Sequence, residues 1–363
     1  MGIRRQAARR DTGGRPQQVP FGARSRWRRT VRCDPTGRRT VRRRQRPVRL
    51  AGGVRPGGVV VKPERVGAVV NPQSGSGNAA ELFAELSDQF PEAEVDATIT
   101  TGADDVPTAA LEQAKWADLV VAIGGDGTLR EVASALVDAD IEAPLFVVPA
   151  GRGNSSYRHL YGDSDWRHVA ARLADGLETR PLEVGRADTT PRIDPTYFVL
   201  GFTAGLFRSA LGYAERLRRL PGPLAYLLAT GWATLADDPV ELSLSVGGDP
   251  MYHGAARIVA VGGGRYRGSD FELLPESRRG DGLLHALVVE SVGPRAAARL
   301  ARRARAGRII DDPSVRYATG ETARLRSEAG LPVELDGTPV SEPVTAAELE
   351  VVPEALPVAY PSE

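Results

Sequence analysis

Apolar and polar positions alternate along the chain in a pattern that changes twice. Val66-Gly67-Ala68-Val69-Val70 is a short apolar run closed by Asn71-Pro72, which predicts a buried strand entering a loop. Residues 78–90 carry apolar side chains at helical spacing (Leu82, Phe83, Leu86, Phe90). A second strand is predicted over Val95–Thr100 and a helix over Asp104–Lys115. Leu119–Ile123 reads as a third buried strand, Leu129–Val137 as a helix and Leu145–Val148 as a fourth strand. Strand and helix alternate at a spacing that forces crossover connections, hence a parallel sheet with helices on both faces. After Pro181 the texture becomes strand-rich: 197–201, 240–246, 255–261, 283–289, 323–326 and 333–335 read as strands divided by Gly/Pro turns. A helical pair, 206–220 and 224–237, lies among them. The prediction is an α/β domain over 59–181, a mostly antiparallel domain over 182–352 and a tail over 353–363, with a site in the cleft between the two domains.

Before residue 59 there is no sustained period. The first 58 residues hold eighteen arginines, no lysine and two acids, for a net charge of +16. The remainder is acidic, at −15, so the overall +1 averages two unlike segments. The segment reads as a disordered basic extension, or as upstream sequence from a start codon set too early. A basic arm for nucleic acid or anionic lipid is the alternative, with nucleic acid disfavoured. The acidic, lysine-poor body suits high salt, although an arginine bias of codon origin would look the same. With Cys33 the only cysteine and four histidines without ligand spacing, neither a disulfide scaffold nor a cysteine or histidine metal site is expected. No apolar stretch reaches membrane-spanning length and no secretory signal is visible. The expected location is cytoplasmic, with peripheral contact to a membrane.

The candidate chemistry lies in three loops. Gly124-Gly125-Asp126-Gly127-Thr128 follows the third strand and precedes a helix. Its glycines let the backbone approach a polyphosphate, and the N–H groups at the helix start favour an anion. Asp126 offers a carboxylate for Mg²⁺ or a ribose hydroxyl, and Thr128 is placed to cap the helix. Asn71–Gly77 follows the first strand, with Ser74 and Ser76 as hydroxyl donors, and Pro149–Asn154 follows the fourth. All three leave the carboxyl ends of parallel strands, where open α/β sheets bind ligands. By itself, Asp336-Gly337 is the pattern of a type I′ hairpin turn.

Residues 65–353 resemble the diacylglycerol kinase catalytic superfamily, which includes bacterial and archaeal lipid kinases and sphingosine kinases. The resemblance rests on Asn71-Pro72-x-Ser74-Gly75-x-Gly77, Gly124–Thr128 continuing into Leu129-Arg130-Glu131, and Pro149–Asn154. It extends through Gly201–Gly205, Gly262–Gly264, Asp281-Gly282-Leu283-Leu284 and Asp336-Gly337. It implies a nucleotide-binding domain shared with NAD kinases, a β-sandwich second domain, and transfer of the γ-phosphoryl of ATP to a lipid hydroxyl with Mg²⁺. Asn71, Ser74, Gly75, Thr100, Gly124, Gly125, Asp126, Gly127, Thr128, Leu129, Arg130, Gly151, Arg152 and Gly153 are then the expected nucleotide contacts. Asp281 with the carbonyls of Arg278 and Leu283 is the expected structural Mg²⁺ site. Asp336 and Asp126 are the expected catalytic carboxylates, since a lipid hydroxyl needs a group to orient it and accept its proton.

Three positions depart from the family pattern. Arg152 and Ser155 replace a threonine and an aspartate, and Thr338 replaces the glutamate of Asp-Gly-Glu. Asp336 must then serve as base, or the protein is a binding member without turnover. On the acceptor side, the 206–220 helix sets apolar residues beside Arg208, Arg216, Arg218 and Arg219. It either docks on a bilayer or packs on the sandwich. The basic stretch 295–308 reads as a solvated face. A soluble NAD kinase is the competing enzyme, and a homodimer is left open.

Overall fold

In the computed structural model, residues 61–75, 77–193, 196–205, 238–268 and 271–362 are described. The basic segment 1–58 and the helical pair 206–237 lie outside these residues. The fold starts with β1 (Arg65–Val70), α1 (Ala79–Gln89), β2 (Glu94–Ile99), α2 (Val106–Trp116) and β3 (Leu119–Gly124). It continues with α3 (Asp126–Asp138), β4 (Leu145–Pro149), α4 (Ser155–Tyr161) and α5 (Trp166–Asp175). Strands β2, β1, β3 and β4 lie side by side in that order, all parallel. β1 and β3 are almost wholly apolar because both faces are covered. The chain steps from β1 to β2 in one direction and then from β2 past β1 to β3 in the other. Right-handed crossovers therefore put α1 on one face and α2 with α3 on the opposite face. Consistent with this, α1 packs with α5 and α2 with α3. The reversal lies between β1 and β3, and a crevice opens there at their carboxyl ends.

The strand-rich half comprises β5 (Leu177–Thr190), β6 (Tyr197–Phe198), β7 (Phe202–Gly205), β8 (Val240–Val246) and β9 (Asp249–Gly262). There follow β10 (Tyr266–Arg267), β11 (Phe271–Glu272), β12 (Leu284–Glu290), α6 (Pro294–Arg305) and β13 (Val315–Gly320). The last elements are β14 (Thr322–Leu331), β15 (Val333–Leu335), β16 (Thr338–Pro339) and β17 (Val344–Pro361). Antiparallel pairing runs β15–β7–β9–β8–β14–β17. Phe198, Phe202, Val259, Val261, Leu325 and Val333 are among the buried residues of this half, a core distinct from that of the parallel sheet. A third cluster lies under α6, around Leu300, Ala304, Phe271 and Leu287.

Three expectations need correction. The helix after the glycine loop starts at Asp126, inside the loop, rather than at Leu129. The supposed tail from residue 353 is the end of β17, which pairs antiparallel with β5 and, through Val358 and Leu145, parallel with β4. Its prolines hid it in the sequence, because proline disfavours a strand interior. Pro353 falls in the register shift between Val352 and Leu356, and Pro357 sits opposite Pro181, so neither interrupts a donor of its partner. β5 likewise runs unbroken across the division expected at residues 181 and 182. The β5–β17 ribbon thus joins the two cores, and the described residues belong to one compact unit.

Candidate active site

The crevice between β1 and β3 is held closed by a network on Thr128. The Asn71 amide nitrogen donates to the Ile123 carbonyl at 3.1 Å, fixing the end of β1 against β3. Asn71 Nδ2 donates to Thr128 Oγ1 at 3.0 Å, and Ser74 Oγ lies 3.3 Å from the same hydroxyl. Thr128 is buried, and it ties the first loop to the second instead of capping the helix. Gly125 stands at the helix cap, with no side chain to satisfy the first amides of α3. Amides left without a side-chain cap at a helix start favour an anion.

The third loop closes the other side. Gly75, at φ +57°, lies against the Ala150 carbonyl, and a Cβ on Gly151 would meet Gly125 Cα at 2.5 Å. Only glycine permits these approaches. Asn154, at φ +48°, clasps the loop: its Oδ1 accepts from Gly151 N at 2.8 Å and its Nδ2 donates to the Gly151 carbonyl at 2.9 Å. Asp126 Oδ1 accepts from Ser156 N at 2.7 Å and its Oδ2 from Ser155 N at 3.2 Å. The carboxylate that begins α3 therefore caps α4. Burial pushes its pKa up, opposed by those amides. Arg152 is exposed at the loop's rim.

The strand-rich half contributes a hairpin turn. Asp336 and Gly337 both have positive φ (+48° and +80°), and Leu335 pairs with Thr338 across them, as the sequence pattern predicted. A Cβ on Gly127 would come within 2.8 Å of Thr338 Oγ1, so this turn lies on the glycine loop. The Asp336 carboxylate does not face outward. It accepts the amides of Val199 (2.7 Å), Leu200 (2.8 Å) and Gly201 (2.8 Å) and is fully buried. Desolvation raises its pKa, against the Gly201 amide and the charge of Arg130. Asp336 thus positions the turn on the chain entering β7; the group the turn presents to the loop is Thr338.

Three expected nucleotide contacts point elsewhere. Leu129 is core. Thr100 is buried and donates its hydroxyl to the Val70 carbonyl at 3.2 Å, bracing β2 on β1. Arg130 is 5% exposed; its Nη1 donates to the Leu335 carbonyl at 2.8 Å and its Nη2 to Glu131 at 2.7 Å. It ties α3 to the strand that carries Asp336, rather than reaching a phosphate.

Sequence reasoning missed the charges beneath the turn. Glu334 is buried two residues before Asp336 and accepts the Gly337 amide through Oε2. Burial pushes its pKa up to about 7. Arg267, also buried, donates to Thr203 Oγ1 at 3.3 Å, to the Gly264 carbonyl at 3.0 Å and to the Leu200 carbonyl at 2.9 Å. Its charge opposes the rise at both Glu334 and Asp336. Glu334 lies on β15 immediately before the Asp336-Gly337 turn, and that adjacency was the available signal.

At the residues expected to hold a structural Mg²⁺, two amides of the turn hold the Asp281 carboxylate: Arg278 N donates to Oδ2 and Leu283 N to Oδ1, each at 3.0 Å. The Arg278 carbonyl accepts the Asp281 amide at 3.3 Å. His285 Nε2 lies 2.9 Å from Oδ2.

Comparison with known proteins places this geometry. A model of the diacylglycerol kinase catalytic domain matches residues 65–187, and one of the YegS C-terminal NAD kinase beta sandwich-like domain matches residues 202–360. A protein of Pseudomonas syringae pv. syringae named "Probable lipid kinase YegS-like" is 31% identical over 258 residues, 67% of this chain and 76% of that protein. This chain belongs to that family of diacylglycerol kinases and YegS-like lipid kinases. A diacylglycerol kinase of Bacillus subtilis is 26% identical over 280 residues, covering 76% of this chain and 89% of the relative. The crystal structure of a diacylglycerol kinase from Bacillus anthracis shares the fold, with a TM-score of 0.61 at 20% identity over 83% of this chain and 98% of that one. A kinase function, with the ATP use it implies, is supported for this member. No helix among the described residues is long and apolar enough to cross a membrane.

Proposed function

We propose that this protein transfers the γ-phosphoryl group of ATP to the hydroxyl of a diacylglycerol-like lipid at a membrane surface. The observation that carries the reading is the contact of Thr338, from the strand-rich half, with Gly127 of the glycine loop. The loop supplies amides for the phosphates, and the second half sets a hydroxyl beside them. Phosphoryl transfer passes through a loose transition state, so positioning and charge stabilisation matter more than a strong base. Thr338 Oγ1 can hold the acceptor hydroxyl by a hydrogen bond, and Asp336, anchored on three amides, keeps the turn at that height.

Mg²⁺ accompanying the nucleotide would spread the charge that develops on the transferred group. Asp126, in the glycine loop at the start of α3, would be the carboxylate to hold such an ion.

The test offers the full chain γ-labelled ATP, Mg²⁺ and mixed micelles of diacylglycerol, sphingoid base or archaeol-type lipid, with NAD in a parallel arm. Salt is varied, since the body is acidic. Organic-soluble label is the expected result; label confined to NAD would replace this reading with that of a soluble nucleotide kinase.

A further inference from the structure

Thr338 reaches the glycine loop from a turn whose soft joint is Gly337. On its amino side, Asp336 is fixed by the amides of Val199, Leu200 and Gly201. On its carboxyl side, Pro339 confines Thr338 to extended backbone, because the proline ring crowds the residue before it. Gly337 stands between them, exposed and at φ +80°, with the backbone freedom of glycine and no side chain to pack. Its amide donates to Glu334 Oε2. Glu334 is held in turn from behind. It stands opposite Thr203 across the β15–β7 pair, and the Thr203 hydroxyl bonds its carboxylate. The same hydroxyl accepts from Arg267 Nε at 3.3 Å, so its single proton is the one that goes to Glu334. Arg267 donates to the Leu200 carbonyl at 2.9 Å, and Leu200 is also one of the residues whose amides anchor Asp336. Arg267, Thr203 and Glu334 are all buried, and the chain of bonds they form ends on the exposed Gly337 amide.

We infer that Glu334 is a positioning residue for phosphoryl transfer: by holding the Gly337 amide it fixes the peptide that carries Thr338, and so keeps Thr338 Oγ1 beside Gly127. The inference rests on the transfer reading above. It assigns the work to the reach of the side chain rather than to its charge. Aspartate at this position keeps the charge but draws the carboxylate back from the Gly337 amide by one carbon–carbon bond. Glutamine keeps the reach and an acceptor oxygen and gives up the charge. The two substitutions therefore separate the hydrogen bond to the turn from the electrostatic balance with Arg267.

The experiment compares the full chain with Glu334→Asp and Glu334→Gln, each first shown to unfold cooperatively. Activity is read as kcat and the KM for ATP, from organic-soluble label on diacylglycerol micelles. The turn is read separately, as hydrogen exchange of the Gly337 amide in protein labelled with ¹⁵N-glycine, the signal being assigned by its loss in Gly337→Asn. Glu334→Asp should lose at least about tenfold in kcat with the KM for ATP within about twofold, the split expected when positioning rather than nucleotide binding is lost. Its Gly337 amide should exchange at least about tenfold faster, having lost its acceptor. Glu334→Gln should keep kcat within about threefold and keep the slow exchange. The reverse order, with glutamine impaired and aspartate normal, would show that the charge is what counts and overturn the inference. Equal exchange at Gly337 in all the proteins would overturn it too. If wild type transfers no label, the transfer reading fails and the positioning role with it, while the exchange rates still decide whether Glu334 holds the turn.

Discussion

The Asp336 carboxylate accepts the Gly201 amide at 2.8 Å, across 135 residues of chain. With Val199 and Leu200 as its other donors, this contact sets the height of the Asp336–Thr338 turn over the glycine loop. Asp336→Ala leaves three buried amides without acceptors, and each such group costs about 1–3 kcal/mol. Urea unfolding should show a loss of at least about 3 kcal/mol for this variant. Asp336→Asn should lose roughly 1–2 kcal/mol, since one amide then faces an NH₂ group. Equal stability of all three proteins would contradict the anchoring role.

Arg130 lies on α3 one turn from the loop but serves the interior. Arg130→Met removes the donor to the Leu335 carbonyl and the charge that balances Asp336. It should cost roughly 3 kcal/mol in unfolding free energy, the scale for breaking a buried charged hydrogen bond. The ATP dissociation constant of the folded protein should stay within about threefold of wild type, as isothermal titration calorimetry can show.

Gly151→Ala and Gly75→Ala should act in the opposite sense. A Cβ at 151 meets Gly125 Cα, and one at 75 meets the Ala150 carbonyl from a positive φ, so each forces two loops apart. ATP affinity should fall at least about tenfold, the equivalent of 1.4 kcal/mol, while the circular dichroism spectrum is unchanged.

These contrasts show what the sequence made legible. The order of glycine loops, each at the end of an apolar strand, located the crevice, and Asp336-Gly337 named its own turn. Two kinds of information were hidden. A side chain's direction depends on partners far along the chain: Arg130 next to a phosphate loop reads as a phosphate ligand until Leu335 is seen to accept from it. Strands containing proline were also hidden, because Pro353 and Pro357 look like breakers until the register shift and the opposed Pro181 absorb them. His285 gave no signal, since a lone histidine in an apolar run is silent until Tyr317 and Asp281 converge on it.

Glu334 makes stability depend on pH. Its pKa rises from 4.5 in the unfolded chain to about 7 in the fold, so the folded state holds the proton more tightly between those values. Stability is then greatest below pH 4.5 and falls as pH rises to 7, by up to about 3 kcal/mol from this group. Asp336 and Asp126, also raised by burial, add in the same direction, whereas His159, lowered to about 4, works against them. Glu334→Gln keeps an acceptor for the Gly337 amide and removes the titration. The difference in unfolding free energy between variant and wild type should therefore grow in the variant's favour from pH 4.5 to 7.5. A constant difference would show that Glu334 does not titrate in this range.

Thr338 stands where the family pattern has a glutamate, beside Gly127. Thr338→Glu places a carboxylate at the acceptor side of the loop and should raise kcat about tenfold, with the KM for ATP within twofold. An unchanged or lower kcat would mean that orientation by the hydroxyl is already sufficient.

The contact between Gly127 and Thr338 joins the glycine loop to the hairpin turn of the strand-rich half, and it can be tested alone. Gly127→Ala puts a methyl group within 2.8 Å of Thr338 Oγ1 while leaving Asn71, Ser74 and Gly151 in place. The measurement is organic-soluble label formed from γ-labelled ATP on diacylglycerol micelles, with ATP affinity determined on the same samples. The account predicts wild-type transfer that falls at least about 100-fold in the variant, with ATP binding changed by less than about threefold. Transfer in Gly127→Ala equal to that of wild type would contradict it.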